Sequence, residues 1–452
     1  MSKSDEEIYL AAIEGGGTTF VVSVARVIKR SNEENDTRSD DDDDNILQIG
    51  PTQIEILHTT TIPPKHTDTG EILHYTPTQI LEETCAFLSK HLPPCGYYSA
   101  VGIATFGPAG VNRTQTHDYG TILSGSPKKE WRNVDLLSPI ATVCGLDKHE
   151  SMKSRVGFDT DVNAPAVAEF RHRCYLQQKN QSQTNSYTKP LTSLSYITIG
   201  TGVGVGLILN SQPIHGLLHP EGGHVAIQPL QNDTFTEGYS WGKEKSPYGG
   251  VGTVEGVASS VALTERYLQM ENKGNNNIDH AQTREVLSTL SDDHEVWEHA
   301  SNAIANLCVS ILLLTSCEKI VLGGGIMKRT VLYDMIRKRV WTILNGYLDS
   351  VDELSSAKKL DNVIVESSWE KMGSGLVGAF ALAIDALEKT KNDDENGSKE
   401  EKNQSSQVIE KKGNEDVDEQ QIYTSGVLAG ICLSLGCVVL SSFFGRGIRH
   451  RH

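Results

Sequence analysis

Cysteines at paired metal-binding spacing, a recognisable secretion-signal pattern and an excess of basic residues are not seen in this sequence of 452 residues. Its eight cysteines show no paired metal-binding spacing, which fits a reducing compartment and leaves the Asn-x-Ser/Thr triplets unused. A formal charge of −17 argues against nucleic acid as a partner. Much of that charge is local, in SNEENDTRSDDDDDN (31–45) and between Lys389 and Gln421, stretches that read as solvated, disordered polyelectrolyte. The start, MSKSDEEIYLAAIEGGG, has no basic region followed by an apolar one, so no secretion signal is expected. It also leaves no room for a DNA-binding helix pair. Solenoid repeats are absent. Neither the P-loop pattern, which closes on lysine and Ser/Thr, nor a full dinucleotide fingerprint opening a helix occurs.

Glycine, by contrast, is concentrated. AAIEGGGTTF (11–20), YITIGTGVGVGLIL (196–209) and KIVLGGGIM (319–327) each end an apolar, β-type run in bare backbone. Such backbone lets N–H groups approach phosphate oxygens without a Cβ in the way. One loop of this kind equally fits a tight turn; three suggest a single nucleotide held by several loops, and phosphoryl transfer between two lobes.

The intervening pattern is α/β. YLAAIEGG and FVVSVARVI form a hairpin, QIEILHTTTIP a further strand, PTQILEETCAFLSKHL a helix, and SAVGIATFGPAG a strand that opens a glycine loop at its carboxyl end. Ligands gather at that edge of open α/β sheets. After VGFDTDVNAPAVAEFRHRCYL a polar insert is expected over 177–189, then a second lobe with helices near VEGVASSVALTERYLQM and from His294 to Thr315. KMGSGLVGAFALAIDALEK starts a helix that returns across the cleft. Domain limits follow: 8–178 with 371–389 as one lobe, 191–370 as the other, 390–421 as a linker. Ile422 to Phe444 is uncharged, and at about 1.5 Å per residue it spans a bilayer core of about 30 Å. A core helix is the alternative, but its isolation behind polar residues favours a transmembrane tail.

Transfer to a hydroxyl requires one carboxylate to take the proton. Asp161, in TDVNAPAVAE just before an apolar helix, is the candidate, although a helix-capping role would give the same spacing. Glu221 and His224 in HPEGGH, bracketed by Gly222 and Gly223, suit the gripping of several hydroxyls, though a lone His is more often structural.

AAIEGGGTTF, TDVNAPAVAE, YITIGTGVGVGLI, HPEGGH, KIVLGGGIM and MGSGLVGAFALA, in this order, resemble the ROK family of sugar kinases, from about Ile8 to Leu387. YGTILSGSPKKEWRNVDLL is similar to the bacterial-type fructokinases among them. The resemblance implies an α/β, two-lobed actin-like ATPase fold, ribonuclease H-like, with a ligand cleft between lobes. It makes Asp161 the general base and puts Glu221, His224, Glu255 and the neighbourhood of Asn163 on the sugar. Gly16, Gly17, Thr18 and Thr19 would meet the transferred phosphate, Thr201 and Gly202 the other phosphates, and Gly323, Gly324, Gly325 and Gly375 the adenosine side. ATP and Mg2+ are the implied cofactors, with Glu14 holding the metal through water.

Two departures matter. Thr19 stands where a lysine is frequent in the family. Ser246, Gly249 and Thr253 replace the Cys/His ligands of a structural zinc, leaving His224 alone, so zinc is expected to be absent. Active hexose kinase, with D-fructose favoured over glucose or mannose, is the leading expectation. A membrane-held sugar sensor and a family repressor are the alternatives. A homodimer is compatible with the sequence. The tail implies anchoring to the cytosolic face of the mitochondrial outer membrane or the endoplasmic reticulum.

Overall fold

Alternating apolar runs in the first hundred residues build a sheet whose two faces are both buried. β1 (Tyr9–Gly15) sends Leu10 and Ala12 to one face and Ala11 and Ile13 to the other, and all four are fully buried. In this computed structural model the described residues are 7–16, 19–29, 45–64, 73–114, 117–147, 154–184, 189–233, 235, 252–271, 280–369 and 373–390. They form one compact unit.

The first sheet has the order β3-β4-β2-β1-β5-β6, with β2 (Phe20–Val27), β3 (Ile46–Ile49), β4 (Thr52–Ile62), β5 (Ala100–Thr105) and β6 (Val156–Thr160). β1, β5 and β6 run parallel, and β2 pairs antiparallel with β1 and β4. Helices α1 (Pro77–Lys90) and α2 (Leu137–Val143) cover one face through Ile80, Leu88 and Ile140. Pro77 starts α1 and Thr76 and Gln79 close a reciprocal capping box, satisfying N–H groups left over at a helix start.

The second sheet has the order β11-β10-β7-β8-β9, made of β7 (Leu194–Ile199), β8 (Val203–Leu209), β9 (Gln212–Pro213), β10 (Lys319–Gly323) and β11 (Ile364–Glu366). Between the sheets lie α3 (Asn163–Thr184) and the helix over 374–390. A single buried cluster joins Leu10 and Ala12 to Val167, Phe380, Tyr196 and Val321. The far face of the second sheet is covered in chain order by α4 (Val254–Ala258), α5 (Ser260–Met270), α6 (His280–Thr289), α7 (Val296–Thr315) and α8 (Val331–Leu344), with α7 and α8 contributing Trp297, Ile304, Leu332 and Ile336. The helix over 374–390 is α9.

Three boundaries differ from the sequence reading. The insert placed at 177–189 is helical to Thr184, because Gln, Lys and Asn on an exposed face give no reason to stop. A short strand, β3, precedes the strand expected after the acidic segment. Thr390, assigned to the linker, closes α9 with its hydroxyl bonded to the Ala386 and Leu387 carbonyls. Among the described residues no helix is long and apolar enough to cross a membrane. The acidic segment (apart from Asn45), the linker beyond Thr390 and the uncharged run 422–444 lie outside the described residues.

Candidate functional site at the strand ends

Strand register brings the candidate groups together. Gly15, Thr105 and Thr160 lie in one row across β1, β5 and β6, so Gly16, Phe106 and Asp161 are the next residues out at the carboxyl edge. The Phe106 N–H donates to the Gly15 carbonyl (3.0 Å) and the Asp161 N–H to the Thr105 carbonyl (2.7 Å), which fixes this second row. On the other sheet Thr198 pairs with Gly323, so Ile199 and Gly324 are the next residues out at the matching edge. Gly324 has φ +90, and a Cβ there would meet the Ile199 carbonyl oxygen at 2.4 Å; only glycine fits.

A cavity of about 970 Å³ opens between these edges, lined by Glu14, Asp161, Thr198, Thr201, Gly323 to Gly325 and Gly373 to Gly375. Loss of solvation pushes the Asp161 carboxyl up to about 7, with Lys128 pulling it down and Glu14 pushing it further up. Asp161 does not cap α3. The Thr160 hydroxyl takes the Asn163 N–H (3.1 Å), which frees the aspartate carboxylate for the cavity.

Glu221 sits between His219 (3.6 Å) and His224 (3.9 Å), its carboxyl raised to about 7 by burial and by the charges of Glu255 and Asp161. The latter coupling links the HPEGGH turn to Asp161. His219, which the sequence reading passed over, is the joint: its Nε2 accepts the Ala109 N–H at 3.2 Å, tying this turn to the GPAG loop. The accepting nitrogen makes it a neutral imidazole, in line with burial lowering its pKa. Its place in HPEGGH was the available signal.

Several expected contacts fall elsewhere. Asn163 is fully buried, its amide donating to Asp159 (2.9 Å) and accepting from the Leu207 N–H (3.4 Å), so it supports the base loop from behind. Asp159 in turn lies 2.8 Å from His215. The Gly16 N–H is used in closing the hairpin onto the Thr19 carbonyl (2.9 Å), and is not presented to a phosphate. Gly202 backs onto Glu255, whose carboxylate takes the Val203 N–H at 2.9 Å, so Glu255 braces the second glycine loop. Thr201 faces the cavity; Gly202 does not line it. Gly375 lies against Glu14: a Cβ there would stand 2.2 Å from its carboxylate oxygen, placing Gly375 at the first-strand end and not beside Gly323 to Gly325 alone. Gly17, Thr18, Ser246 and Gly249 lie outside the described residues, and Thr253 caps α4 through the Gly256 N–H (3.1 Å).

The same cavity that Glu14 lines is also lined by Trp297, Leu287, Lys328 and Arg329 together with the third glycine loop. Arg329 lies over the Trp297 ring (4.3 Å) and is ion-paired with Asp292. Glu14 accepts from the Leu376 N–H at the start of α9, and its carboxyl is raised by burial. Glu14 and Asp161 are hard oxygen donors at one end of a phosphate-sized cleft, a set that suits Mg2+, which uses one or two carboxylates and keeps waters.

The profile of the ROK family matches residues 47–386. A Bacillus subtilis protein carrying a provisional fructokinase name is 33% identical over 314 residues, 69% of this chain and 87% of its own length. The fructokinase of Zymomonas mobilis is 28% identical over 391 residues, covering 86% of this chain and 100% of that protein. Among solved structures, a ROK hexokinase from Thermus thermophilus superimposes with a TM-score of 0.54 at 15% identity, over 85% of this chain and 100% of its own, a likeness of fold.

Proposed function

The chain belongs to the ROK family and is a sugar kinase; from that premise we propose that it transfers the γ-phosphoryl group of ATP to a hexose hydroxyl, with D-fructose giving fructose 6-phosphate as the preferred reaction. The observation that carries this reading is Asp161: a desolvated carboxylate at the edge of one sheet, facing the glycine loops of the other across the cavity. Asp161 takes the hydroxyl proton as the sugar oxygen bonds to phosphorus, and the bond from phosphorus to the β-γ bridging oxygen breaks to release ADP. Glu14 would hold Mg2+ through water, and the bound ion would supply charge neutralisation on the phosphates. Glu221, with His224 beside it, accepts from sugar hydroxyls and orients the ring. Thr201 and Gly323 to Gly325 hold the nucleotide. The bacterial fructokinases among the relatives support fructose over other hexoses.

A coupled ADP assay over a hexose panel, with Mg2+ and with EDTA, tests the reading. Fructose-dependent, EDTA-sensitive ADP release supports it, and ATP left intact with every hexose overturns it. Glu221→Gln is expected to raise the KM for hexose by about 10-fold or more, the loss of a charge-assisted hydrogen bond, while the KM for ATP holds. An ATP-side effect of equal size would remove Glu221 from the sugar site.

We also propose that residues 422–444 anchor the chain to the cytosolic face of an organelle membrane, on the strength of an uncharged run of 23 residues followed by RGIRHRH. Ending the chain after Thr390 is expected to release soluble protein of unchanged specific activity. Full-length protein that washes off membranes in alkaline carbonate would exclude a spanning tail.

A further inference from the structure

The first glycine loop carries no cation. Between Gly15 and Phe20 there is neither lysine nor arginine, yet phosphoryl transfer needs positive charge against the oxygens of the group in flight. At the third glycine loop the cavity is lined by Lys328 and Arg329, and Arg329 is already committed to Asp292, to the Leu287 carbonyl (3.1 Å) and to the Trp297 ring. The strand-end row itself points to another source.

We propose that Lys128 is a catalytic residue of the sugar kinase, its ammonium contacting the phosphoryl group as it passes to the hydroxyl held at Asp161. The proposal rests on the kinase reading above. Lys128 Nζ lies 3.7 Å from the centroid of the Phe106 ring. Phe106 occupies the row shared with Gly16 and Asp161, and its N–H is bonded to Gly15. Its ring meets Trp131 edge-on (5.5 Å), and Trp131 stacks on Phe20 (5.2 Å, 10° between planes). Phe20 opens β2, the outgoing arm of the first glycine hairpin. One aromatic wall therefore runs from the cation to the first residue of β2.

The turn bearing Lys128 is tightly bonded. The fully buried Ser126 accepts the Lys128 N–H on its hydroxyl (3.3 Å) and the Arg132 Nε on its carbonyl (2.7 Å), and the Trp131 N–H returns to the Lys128 carbonyl (3.0 Å). Among the described residues no carboxylate lies within 4.0 Å ion-pairing distance of Lys128, so the ring face holds the ammonium without a counter-ion and leaves donor capacity for a ligand. Burial lowers the Lys128 pKa to about 8 and the Asp161 charge pulls it back up, so the two groups are electrostatically coupled. A cation there supplies from a separate loop the charge the glycine hairpin lacks.

Full-length Lys128→Met and Lys128→Arg, assayed with the hexose the parent turns over, test this. Met keeps the apolar stem over Phe106 and removes the charge. It is expected to lower kcat about 10²- to 10³-fold, the cost of one transition-state donor, with the KM for hexose within about threefold. Arg is expected to recover at least about tenfold of that loss. Met turnover within threefold of the parent would overturn the proposal, as would an Arg variant that melts like the parent and is as slow as Met. If Met does not fold, the Arg comparison with Lys128→Gln decides in the same way. If the parent phosphorylates no hexose, the kinase reading falls separately, and Lys128 is judged by affinity for Mg-ADP with aluminium fluoride: a loss of about tenfold in a folded variant supports it, and unchanged affinity overturns it.

Discussion

Replacing Asp161 by Asn is expected to lower kcat by about 10²- to 10⁴-fold, the usual contribution of a general base, while hexose affinity and fold are retained. The isostere keeps the shape that fills the end of the cavity and loses only the proton acceptor. Because Thr160, not Asp161, satisfies the Asn163 N–H at the start of α3, the helix does not depend on the carboxylate. The parent rate on hexose is expected to rise with pH through about 7, since the base works only when deprotonated, and Glu221, raised to the same region, blends into that limb.

Stability carries the opposite sign. Between the ordinary aspartate value of 3.8 and about 7 the folded chain holds a proton on Asp161 that an unfolded chain has released, so this residue makes stability fall as pH rises through the window. The amide of the Asp161→Asn variant does not titrate there. Thermal melts at pH 5 and pH 8 should therefore show the variant gaining on the parent at the higher pH. Variant turnover within about twofold of the parent would leave Asp161 a structural residue.

The sequence was most informative where an apolar run met glycine. Each such run is a strand ending at the cavity, because period and composition report burial directly: Leu10 to Ile13, Tyr196 to Ile199 and Ile320 to Leu322 are buried or nearly so. Direction was harder to read. Asn163 and Asp161 stand two positions apart, yet one faces the sheet behind and the other the cleft, a difference set by β8 packing across the start of α3. His219 and Lys128 gave little warning. Their placement depends on contacts with Ala109 and Phe106, the first a partner 110 residues away, which local pattern does not encode. The same holds for Glu255, whose bond to the Val203 N–H joins a helix start to the beginning of β8, 52 residues earlier.

Gly102→Ala is expected to cost about 3 kcal/mol or more, a large part of the roughly 5–15 kcal/mol that holds a typical domain folded. Gly102 is the middle of β5, and a Cβ there would lie 1.8 Å from the Ala379 carbonyl oxygen and 2.8 Å from the Ala383 nitrogen, both backbone atoms of α9. Both atoms are main chain, so relief requires α9 itself to move. Beside it, Gly157 on β6 sets the Leu382 carbonyl 2.5 Å from its own missing Cβ, and on another face Gly378 packs against the Ala164 and Pro165 backbone of α3. Moving α9 away from β5 would also carry Gly375 off Glu14, so nucleotide affinity should weaken together with stability. Urea unfolding and ADP titration of Gly102→Ala measure the two effects, with Gly216→Ala, where nothing lies within 4 Å of the added methyl, expected to stay within about 0.5 kcal/mol of the parent. Because the obstacle is a carbonyl and not a side chain, adding Ala379→Gly should not restore stability; a rescue would mean that α9 is held to the sheet by that methyl group and can shift after all.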